Sequence, residues 1–309
     1  MQTQTFHLQN LSALHVGTGQ GVGVVDLPIA RSKSTNLPIV PGSAIKGVLR
    51  DELAAQNLIK ADDVNTLFGP DHALDEAHAG AIAFGDANLL LLPIRSFAGT
   101  VAYATCPFIL RQYQRDHGTQ TKELSIPQLE ASDDDKVSAR VTHDSSLVVR
   151  GTDCIALEDL DIQAYSNDMT QQWADVITQA LYPESTQNYA DWRTQVASRF
   201  VILPDDIFSF LADTATELRT RIRIDRKTRT VQQGALWTEE NLPADSVLWG
   251  VLGVSPSRKK SDDRSANELT ELLPKDELHV QIGGKHTVGR GFCRLLLDTN
   301  SNANNQKEA

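Results

Sequence analysis

Residues 37–53 read LPIVPGSAIKGVLRDEL, and within them a proline-containing loop gives way to a helix. Apolar residues recur beyond Ser43 at helical spacing, so Ser43 is predicted to cap a helix over residues 44–57. The apolar face consists of Ile45, Val48, Leu49 and Leu53. Lys46 and Arg50 are four residues apart and therefore share a different face of the same helix.

A long loop over residues 15–43 precedes this helix, and four glycines fall within its first part, HVGTGQGVG. The run lacks the immediately following helix of a dinucleotide fingerprint, and no GK[ST] ending makes it a P-loop. A second glycine-rich turn, GGKHTVGRG, lies near the C-terminus. Exposed backbone N–H groups in such turns bind phosphate oxygens well when lysine and arginine are nearby.

Outside these turns, strand and helix patterns succeed each other along the chain. Strands are predicted at residues 5–14 (an edge or half-buried strand), 80–92, 96–104, 154–164, 277–283 and 292–297, and helices at 106–115, 170–182, 189–200 and 205–218. Period-two alternation predicts an extended hairpin over residues 219–242. Residues 255–267 are predicted to form a flexible loop and residues 299–309 a disordered tail. This order favours an α+β sandwich over a doubly wound sheet.

Composition excludes several classes of protein. The 309-residue chain has a net charge of −11 and a pI near 5.2, which by itself argues against a protein coated in nucleic acid. No apolar run approaches the roughly 20 residues of a membrane helix, and no signal peptide is recognisable, so we expect a cytoplasmic protein without membrane contact. Cys106, Cys154 and Cys293 are too scattered for a disulfide framework or a zinc site.

Three stretches are nevertheless basic: residues 27–50, 219–229 and 283–294. Any one of them is explained by a solvated face, but together, and with two of them at glycine-rich turns, they favour a polyanionic partner. Within the predicted hairpin, alternation puts Arg221 and Arg223 on one face and the isoleucines between them on the other. Both an arm that binds RNA and a sheet strand with one solvent-exposed face fit this alternation of arginine and isoleucine.

The motif DHALDEAH, residues 71–78, has aspartate and histidine at metal-like spacing. A polar loop is the favoured interpretation, because His72 and His78 have no further support from the sequence.

Taken together, the motifs resemble the RAMP superfamily of CRISPR effector subunits, and within it the Cmr-type (type III-B) backbone subunit. The matching pieces are HVGTGQGVGVVDLPIAR, LPIVPGSAIKGVLRDEL, LFGP, GAIAFGDANLLLLPIRSFAGTVAYATCPFILRQY, RFVILPDDIFSFL, RIRIDRKTRTVQQGALWTEENLP and IGGKHTVGRGFCRL. They cover roughly residues 10–115 and 199–297 in the order of the family. LPIRSFAGTVAYATCP and GALWTEENLP point to the Cmr-type subunit, whereas PGSAIKG occurs more widely. The C-terminal glycine loop departs from the fullest family signature.

The resemblance implies a single RAMP domain with an RRM-like (ferredoxin-like) core at residues 1–115 and 199–297 and an insertion at 116–198. It further implies a filament of copies along a guide CRISPR RNA, together with other Cmr-type subunits. A β-hairpin thumb would kink the guide–target duplex at regular intervals, and an aspartate of the early loop, here Asp26, would support cleavage of target RNA beside each kink. Residues 219–242 are the candidate thumb, with the insertion as the alternative.

Chemistry gives these residues their expected roles. Asp26 is expected to ligate Mg²⁺ or Mn²⁺, since Mg²⁺ prefers one or two carboxylates together with phosphate oxygens. His15 would act as acid or base, and Glu239 or Glu240 would supply a second carboxylate, although structural roles fit these three equally. The expected RNA contacts are Arg31, Lys46, Arg50, Arg221, Arg223, Arg226, Lys285 and Arg290.

Three alternatives stay open at this point. One is a guide-binding scaffold that does not cleave, which would have no use for Asp26. Another is a Csm-type (type III-A) backbone subunit, and the last is a solitary repeat-processing endonuclease of the same superfamily. Without the resemblance, a turn residue before Leu27 and Pro28 would be the favoured interpretation of Asp26.

Overall fold

The computed structural model describes residues 1–19, 25–70, 78–118, 121–129 and 138–298. Two sequence expectations fall outside these ranges: the polar loop around His72 and the disordered tail over residues 299–309.

Within the described ranges the chain forms fourteen strands and seven α-helices. The strands are β1 Gln2–Asn10, β2 Ile39–Val40, β3 Ile82–Phe84, β4 Ala87–Arg95, β5 Val101–Thr105, β6 Ser138–Val141, β7 Cys154–Leu157, β8 Leu160–Ser166, β9 Phe200–Ile202, β10 Glu217–Ile224, β11 Val231–Asn241, β12 Val247–Val254, β13 Leu278–Gln281 and β14 Phe292–Leu297. The helices are α1 Gly42–Ala55, α2 Ala61–Phe68, α3 Pro107–His117, α4 Asp168–Leu181, α5 Tyr189–Ala197, α6 Asp205–Thr214 and α7 Ala266–Thr270.

Twelve of the strands form one sheet, in the order β13-β14-β1-β12-β4-β5-β9-β6-β8-β7, with β2 beside β4 and β3 beside β12. Neighbours are antiparallel except for β5 with β9 and β6 with β8. The hairpin of β10 and β11 stands apart as a two-stranded sheet. The α+β class predicted from the sequence is therefore confirmed.

The first strand lies in the middle of the sheet, so the expectation of an edge or half-buried strand at residues 5–14 is wrong. β1 pairs with β12 on one side and β14 on the other, and its residues 4–10 are buried. Thr5, His7 and Gln9 find side-chain partners in distant parts of the chain, and the ring Nε2 of His7 lies 2.8 Å from the hydroxyl of Tyr113. The alternating polar residues of this strand are therefore buried and do not form a solvent-exposed face.

The helix expected at residues 44–57 begins earlier, at Gly42, and Ser43 lies inside it and does not cap it. The backbone N–H of Gly42 donates instead to the carboxylate of Asp86, at 2.9 Å. A Cβ at Gly42 would lie 2.3 Å from the carbonyl oxygen of Phe84, so only glycine allows the helix to begin this close to the sheet. The predicted apolar residues Ile45, Leu49 and Leu53 are buried.

Two predicted strands are each a pair of strands. Residues 80–92 contain β3 and the first part of β4, which follow each other along β12 with a break at Gly85 and Asp86, and residues 154–164 contain β7 and most of β8. The second break falls at Glu158, whose backbone is left-handed with φ of 49°. The helix predicted at 205–218 ends at Thr214, and Leu218 belongs to β10.

The predicted insertion at residues 116–198 continues the main sheet. It supplies β6, β7, β8, α4 and α5, and β6 pairs antiparallel with β9 of the core. One hydrophobic cluster contains both Trp173 of the insertion and Trp249 of the core, each almost fully buried.

The loop at residues 255–267 carries more structure than the sequence predicts. Arg264 bridges the carboxylates of Asp63 and Asp262, at 2.6 and 2.7 Å, and Ser265 caps α7 through a capping box. Among the helices of the described ranges, none is long and apolar enough to cross a bilayer.

Candidate functional site

The hairpin of β10 and β11 is the feature around which the candidate site is built. Its strands pair in register, with Thr220 opposite Thr238 and Ile222 opposite Leu236. At its tip, the carboxylate of Asp225 accepts hydrogen bonds from the backbone N–H groups of Thr228 and Lys227, which lower the pKa of Asp225. The extended hairpin predicted from the sequence is present.

Both faces of this hairpin meet solvent along most of its length. The isoleucines opposite the arginines do not face a core: Ile222 is 46% exposed and Ile224 55% exposed. Their cross-strand neighbours Leu236 and Val231 are 65% and 49% exposed. We call these four residues the apolar face of the hairpin. Such a face on a basic arm marks an interaction surface.

Asp26 is attached to the base of this hairpin. Its carboxylate Oδ2 accepts hydrogen bonds from the backbone N–H of Thr238 at 2.8 Å and from the Thr238 hydroxyl at 3.0 Å. The backbone of Leu27 pairs with β11, since its N–H donates to the Thr238 carbonyl and its carbonyl accepts from the N–H of Glu240. Both the side chain of Asp26 and the backbone that follows it are therefore bonded to β11.

The hydrogen bonds from Thr238, first the backbone N–H and then the hydroxyl, hold the pKa of Asp26 below its usual value. The side chain is nevertheless exposed, so the charge stays accessible from solvent. A carboxylate of this kind is a poor proton acceptor at neutral pH but a good partner for a cation.

Glu240 is buried and holds the loop that carries Asp26. One carboxylate oxygen accepts from the guanidinium of Arg31 at 2.6 Å, and the other accepts from the backbone N–H of Ile29 at 3.1 Å. Arg31 also bonds to the carboxylate of Asp213 at 3.0 Å. Glu240 therefore stabilises the loop. Arg31, an expected RNA contact, forms a mostly buried ion pair with Glu240 and does not lie on an open surface.

Glu239 is only 1% exposed and lies between two arginines. Its Oε1 accepts from the Nε of Arg221 at 3.0 Å and lies 3.8 Å from the Nε of Arg290. Its second oxygen has no hydrogen-bond partner within the described residues. Arg290 is 7% exposed, so this expected RNA contact also lies inside the protein.

His15 is buried where the two glycine-rich turns cross. Its Nδ1 lies 2.7 Å from the carbonyl oxygen of Glu240, so Nδ1 carries the proton and Nε2 is left as the acceptor in the neutral ring. The carbonyl of His15 accepts from the N–H of Gly284 at 2.8 Å. A Cβ at Gly283 would lie 2.4 Å from that same carbonyl oxygen, so the crossing requires glycine there.

A cleft of about 500 Å³ opens between these two turns. It is lined by His15, Val16, Gly17, Gly19, Leu27, Pro28, Gly283, Gly284 and Lys285. The structure thus brings together two glycine turns that are far apart in sequence. Lys285 and Leu27, the residue after Asp26, both line the cleft between them.

Lys46 and Arg50 lie on α1, away from the hairpin contacts just described. The ammonium of Lys46 donates to the carbonyl of Ile82 at 2.8 Å. Partial burial, followed by the charges of Arg258 and Arg50, lowers the pKa of Lys46. Arg258 is a member of this basic group that the sequence did not indicate, because it lies in a charged segment predicted to be a flexible loop.

The predicted site residues thus divide into three groups. The base of the hairpin collects His15, Asp26, Arg31, Arg221, Glu239, Glu240, Lys285 and Arg290. Arg223 and Arg226 are exposed towards the hairpin tip. Lys46 and Arg50 belong to α1, and within the described residues no three histidine, cysteine or acidic side chains are arranged to hold a metal ion by themselves.

A family model described as the RAMP superfamily matches residues 7–294. The chain belongs to the RAMP superfamily. A curated relative, the CRISPR system Cmr endoribonuclease Cmr4 of Pyrococcus furiosus, is 32% identical over 302 residues, covering 96% of each protein. A solved structure of oligomeric Cmr4 from the same organism superposes with a TM-score of 0.71 at 26% identity, covering 96% of this chain and 98% of that one. The Csm3 endoribonuclease of Enterococcus italicus is 45% identical, but over 47 residues, 14% of this chain and 22% of the relative.

Proposed function

We propose that this chain is a guide-RNA-binding backbone subunit of a Cmr-type (type III-B) effector complex and that it cleaves target RNA paired with the guide at regular intervals. The relative named as a Cmr endoribonuclease matches almost the whole chain, whereas the Csm-type relative matches a short segment. That difference favours the Cmr-type assignment over the Csm-type alternative. The protein would work in the cytoplasm together with other Cmr-type subunits.

The observation that carries the catalytic part is the attachment of Asp26 to β11. An exposed carboxylate, ionised at neutral pH, is fixed at the base of a basic hairpin, and the next residue, Leu27, lines the cleft between the glycine turns. RNA drawn along the hairpin would bring its phosphates towards this carboxylate, and Lys285 in the wall of the cleft suits the same phosphates.

A divalent cation fits this arrangement if RNA supplies part of its coordination. Mg²⁺ and similar ions are commonly held by one or two carboxylates plus substrate phosphate oxygens. Both hydrogen bonds from Thr238 go to Oδ2 of Asp26 and none goes to Oδ1. Bound there, Mg²⁺ or Mn²⁺ would supply positive charge to the phosphate that is being cleaved.

The other residues of the cleft have roles that follow from their geometry. The unprotonated Nε2 of His15 is available to accept the proton of a ribose 2′-hydroxyl that acts as the nucleophile. Lys285 lines the same cleft and would bind a phosphate oxygen. Glu239 and Glu240 are buried in ion pairs, so we assign them the task of holding Arg221 and the Asp26 loop in place.

The hairpin of β10 and β11 supports the proposed thumb, and the main sheet supports the proposed RRM-like core. The exposed arm of β10 and β11 is suited to act as the thumb that kinks the duplex, with Arg223 and Arg226 near its end. The strands β14, β1, β12 and β4 are antiparallel neighbours in the order fourth, first, third and second along the chain, which supports an RRM-like core. Filament contacts and guide binding by α1 belong to the same proposal.

A scaffold without cleavage is the second candidate. The bonds between Asp26 and Thr238 favour it to some extent, because they give the carboxylate a structural use. The two candidates separate in an assembled complex given labelled complementary RNA with Mg²⁺, Mn²⁺ or EDTA. We expect Asp26→Asn to retain guide binding and to lose target cutting by orders of magnitude, since the variant keeps the shape of the side chain without its charge. Undiminished cutting by this variant would leave the chain as a scaffold, whereas cutting in EDTA would refute the role of the divalent cation.

A further inference from the structure

We propose that Thr238 is a positioning residue that aims the carboxylate of Asp26 and links its position to that of the hairpin. The inference rests on the proposed role of Asp26 in target cleavage. It concerns a residue of the hairpin strand that neither contacts the cleft nor carries charge.

Three hydrogen bonds join the two residues. Thr238 donates to Oδ2 of Asp26 from its backbone N–H at 2.8 Å and from its hydroxyl at 3.0 Å, and the hydroxyl oxygen accepts from the N–H of Asp26 at 3.3 Å. An exposed aspartate without such bonds exchanges among rotamers. With both donors on one oxygen, the other oxygen is held in one direction, as a reacting phosphate or its cation requires.

The hydroxyl contributes something that the backbone cannot. Any residue except proline would offer a backbone N–H to Asp26 from position 238, but only serine or threonine would both donate to the carboxylate and accept from the loop at this distance. The hydroxyl therefore fixes the loop and the carboxylate with one atom.

This contact lies on β11, one of the two strands of the hairpin. The backbone of Leu27 bonds to Thr238 and Glu240 on either side of Glu239, so the loop is paired with β11. A guide–target duplex that displaces the hairpin would carry Asp26 with it. Cutting would then depend on the hairpin being seated, which would confine it to positions where the duplex is engaged.

The test uses the assembled complex with guide RNA and three variants of this chain. Thr238→Val removes the hydroxyl and keeps the shape, Thr238→Ser restores the hydroxyl, and Thr220→Val makes the same change at the residue directly opposite in the hairpin. We expect Thr238→Val to slow single-turnover cutting on the order of 10- to 100-fold, with target affinity nearly unchanged. Thr238→Ser should recover most of the rate, and Thr220→Val should lose much less.

A readout independent of cutting is the binding of Mn²⁺ to the complex with target RNA, followed by electron paramagnetic resonance. Thr238→Val should weaken this binding, and Thr238→Ser should restore it. If Thr238→Val fails to assemble, Thr238→Ala tests the same loss of the hydroxyl. Equal cutting and equal Mn²⁺ binding by the hydroxyl-free variant and the native chain would overturn the inference.

A double variant separates this inference from the proposed function. In an Asp26→Asn background, Thr238→Val should reduce the residual rate no further, because Thr238 acts through the Asp26 charge. An additive loss would mean that Thr238 serves the fold instead and would refute its positioning role. If Asp26→Asn alone cuts at the native rate, the proposed function fails, whereas a loss in Asp26→Asn with none in Thr238→Val refutes the positioning role alone.

Discussion

The imidazole Nδ1 of His15 donates to the main-chain carbonyl of Glu240 across 2.7 Å, so a residue of the first glycine turn is fixed to the base of the hairpin. The bond selects the tautomer in which Nε2 is unprotonated. Both the position and the proton-accepting atom of His15 therefore depend on β11.

His15→Asn separates these two contributions. The amide nitrogen of asparagine can replace Nδ1 as a donor to Glu240, but the side chain has no atom that accepts a proton as Nε2 does. We expect the variant to melt close to the native temperature and to cut target RNA about 100-fold more slowly in single-turnover assays. His15→Ala, which loses the donor as well, should lower both the rate and the melting temperature. If a folded His15→Asn variant cut target RNA at the native rate, His15 would not act as an acid or a base in the reaction.

Lys46 and Arg50 are expected to bind guide phosphates, since both project from one side of α1 near Arg258. Changing both to alanine should weaken RNA binding for all sequences, and the slope of log K against log salt concentration should fall by about 1 to 2. Filter binding at several salt concentrations measures the slope.

The matched control for this pair is Arg111 and Arg115, which are also four residues apart, on α3. Their double alanine variant should change the salt slope much less. A loss of affinity that varies with base sequence, or equal losses from the two pairs, would contradict the phosphate role of α1.

Shortening the hairpin should alter where the target is cut. Ile222 and Leu236 lie directly opposite each other, so an Asn-Gly turn can join them in place of residues 223–235 while Thr238 stays. The core should remain folded because the removed residues are largely exposed. We expect the regular ladder of cleavage products to lose its spacing, with guide affinity changed less.

Charge and length can be told apart with a full-length hairpin in which Arg223 and Arg226 are glutamine. This variant should bind target more weakly and keep the spacing of the ladder. A normal ladder from the shortened chain would instead assign the thumb to the insertion, the alternative that the sequence left open.

His7 predicts how stability depends on pH. Burial, and then the neighbouring His117, lowers the pKa of His7 from 6.5 to about 3 in the folded protein. Between these two pH values His7 is protonated in the unfolded chain but not in the folded protein. The free energy of unfolding therefore falls as pH drops from about 6.5 towards 3. The free energy of unfolding from urea titrations should lose about 1.4 kcal/mol from this residue between pH 7.5 and 5.5. His7→Gln should be less stable at pH 7.5 but should show a flatter dependence, and an identical slope would contradict the assignment.

Local patterns predicted the last strand, Phe292–Leu297, correctly at both ends, but no pattern indicated the central strand Val247–Val254. The prediction for the first strand was wrong because some of its polar residues are buried against side chains far along the chain, as His7 is against Tyr113. A sequence pattern reports which residues are polar but cannot show whether water or a distant partner satisfies them.

The same limit applies to the site. The two glycine turns are recognisable by composition, but their crossing at His15 depends on tertiary contacts. Arg31 and Arg290 belong to stretches that are basic locally, yet their carboxylate partners Glu240 and Glu239 come from the hairpin. Asp26 was identified through family resemblance, while Thr238, 212 residues away, gave no signal because an isolated threonine in a strand is unremarkable.

The apolar face of the hairpin makes the arm an amphiphile, with arginines on one side and Ile222, Ile224, Val231 and Leu236 on the other. Contact with water costs this apolar face about 25 cal/mol for every Å² of apolar surface. Burial of the apolar face against any apolar partner is therefore favourable. An exposed strand pair with such a surface also invites edge-to-edge aggregation. Overproduction of the lone polypeptide should therefore yield turbid, heterogeneous material, and co-expression with its assembly partners should yield clear, monodisperse particles.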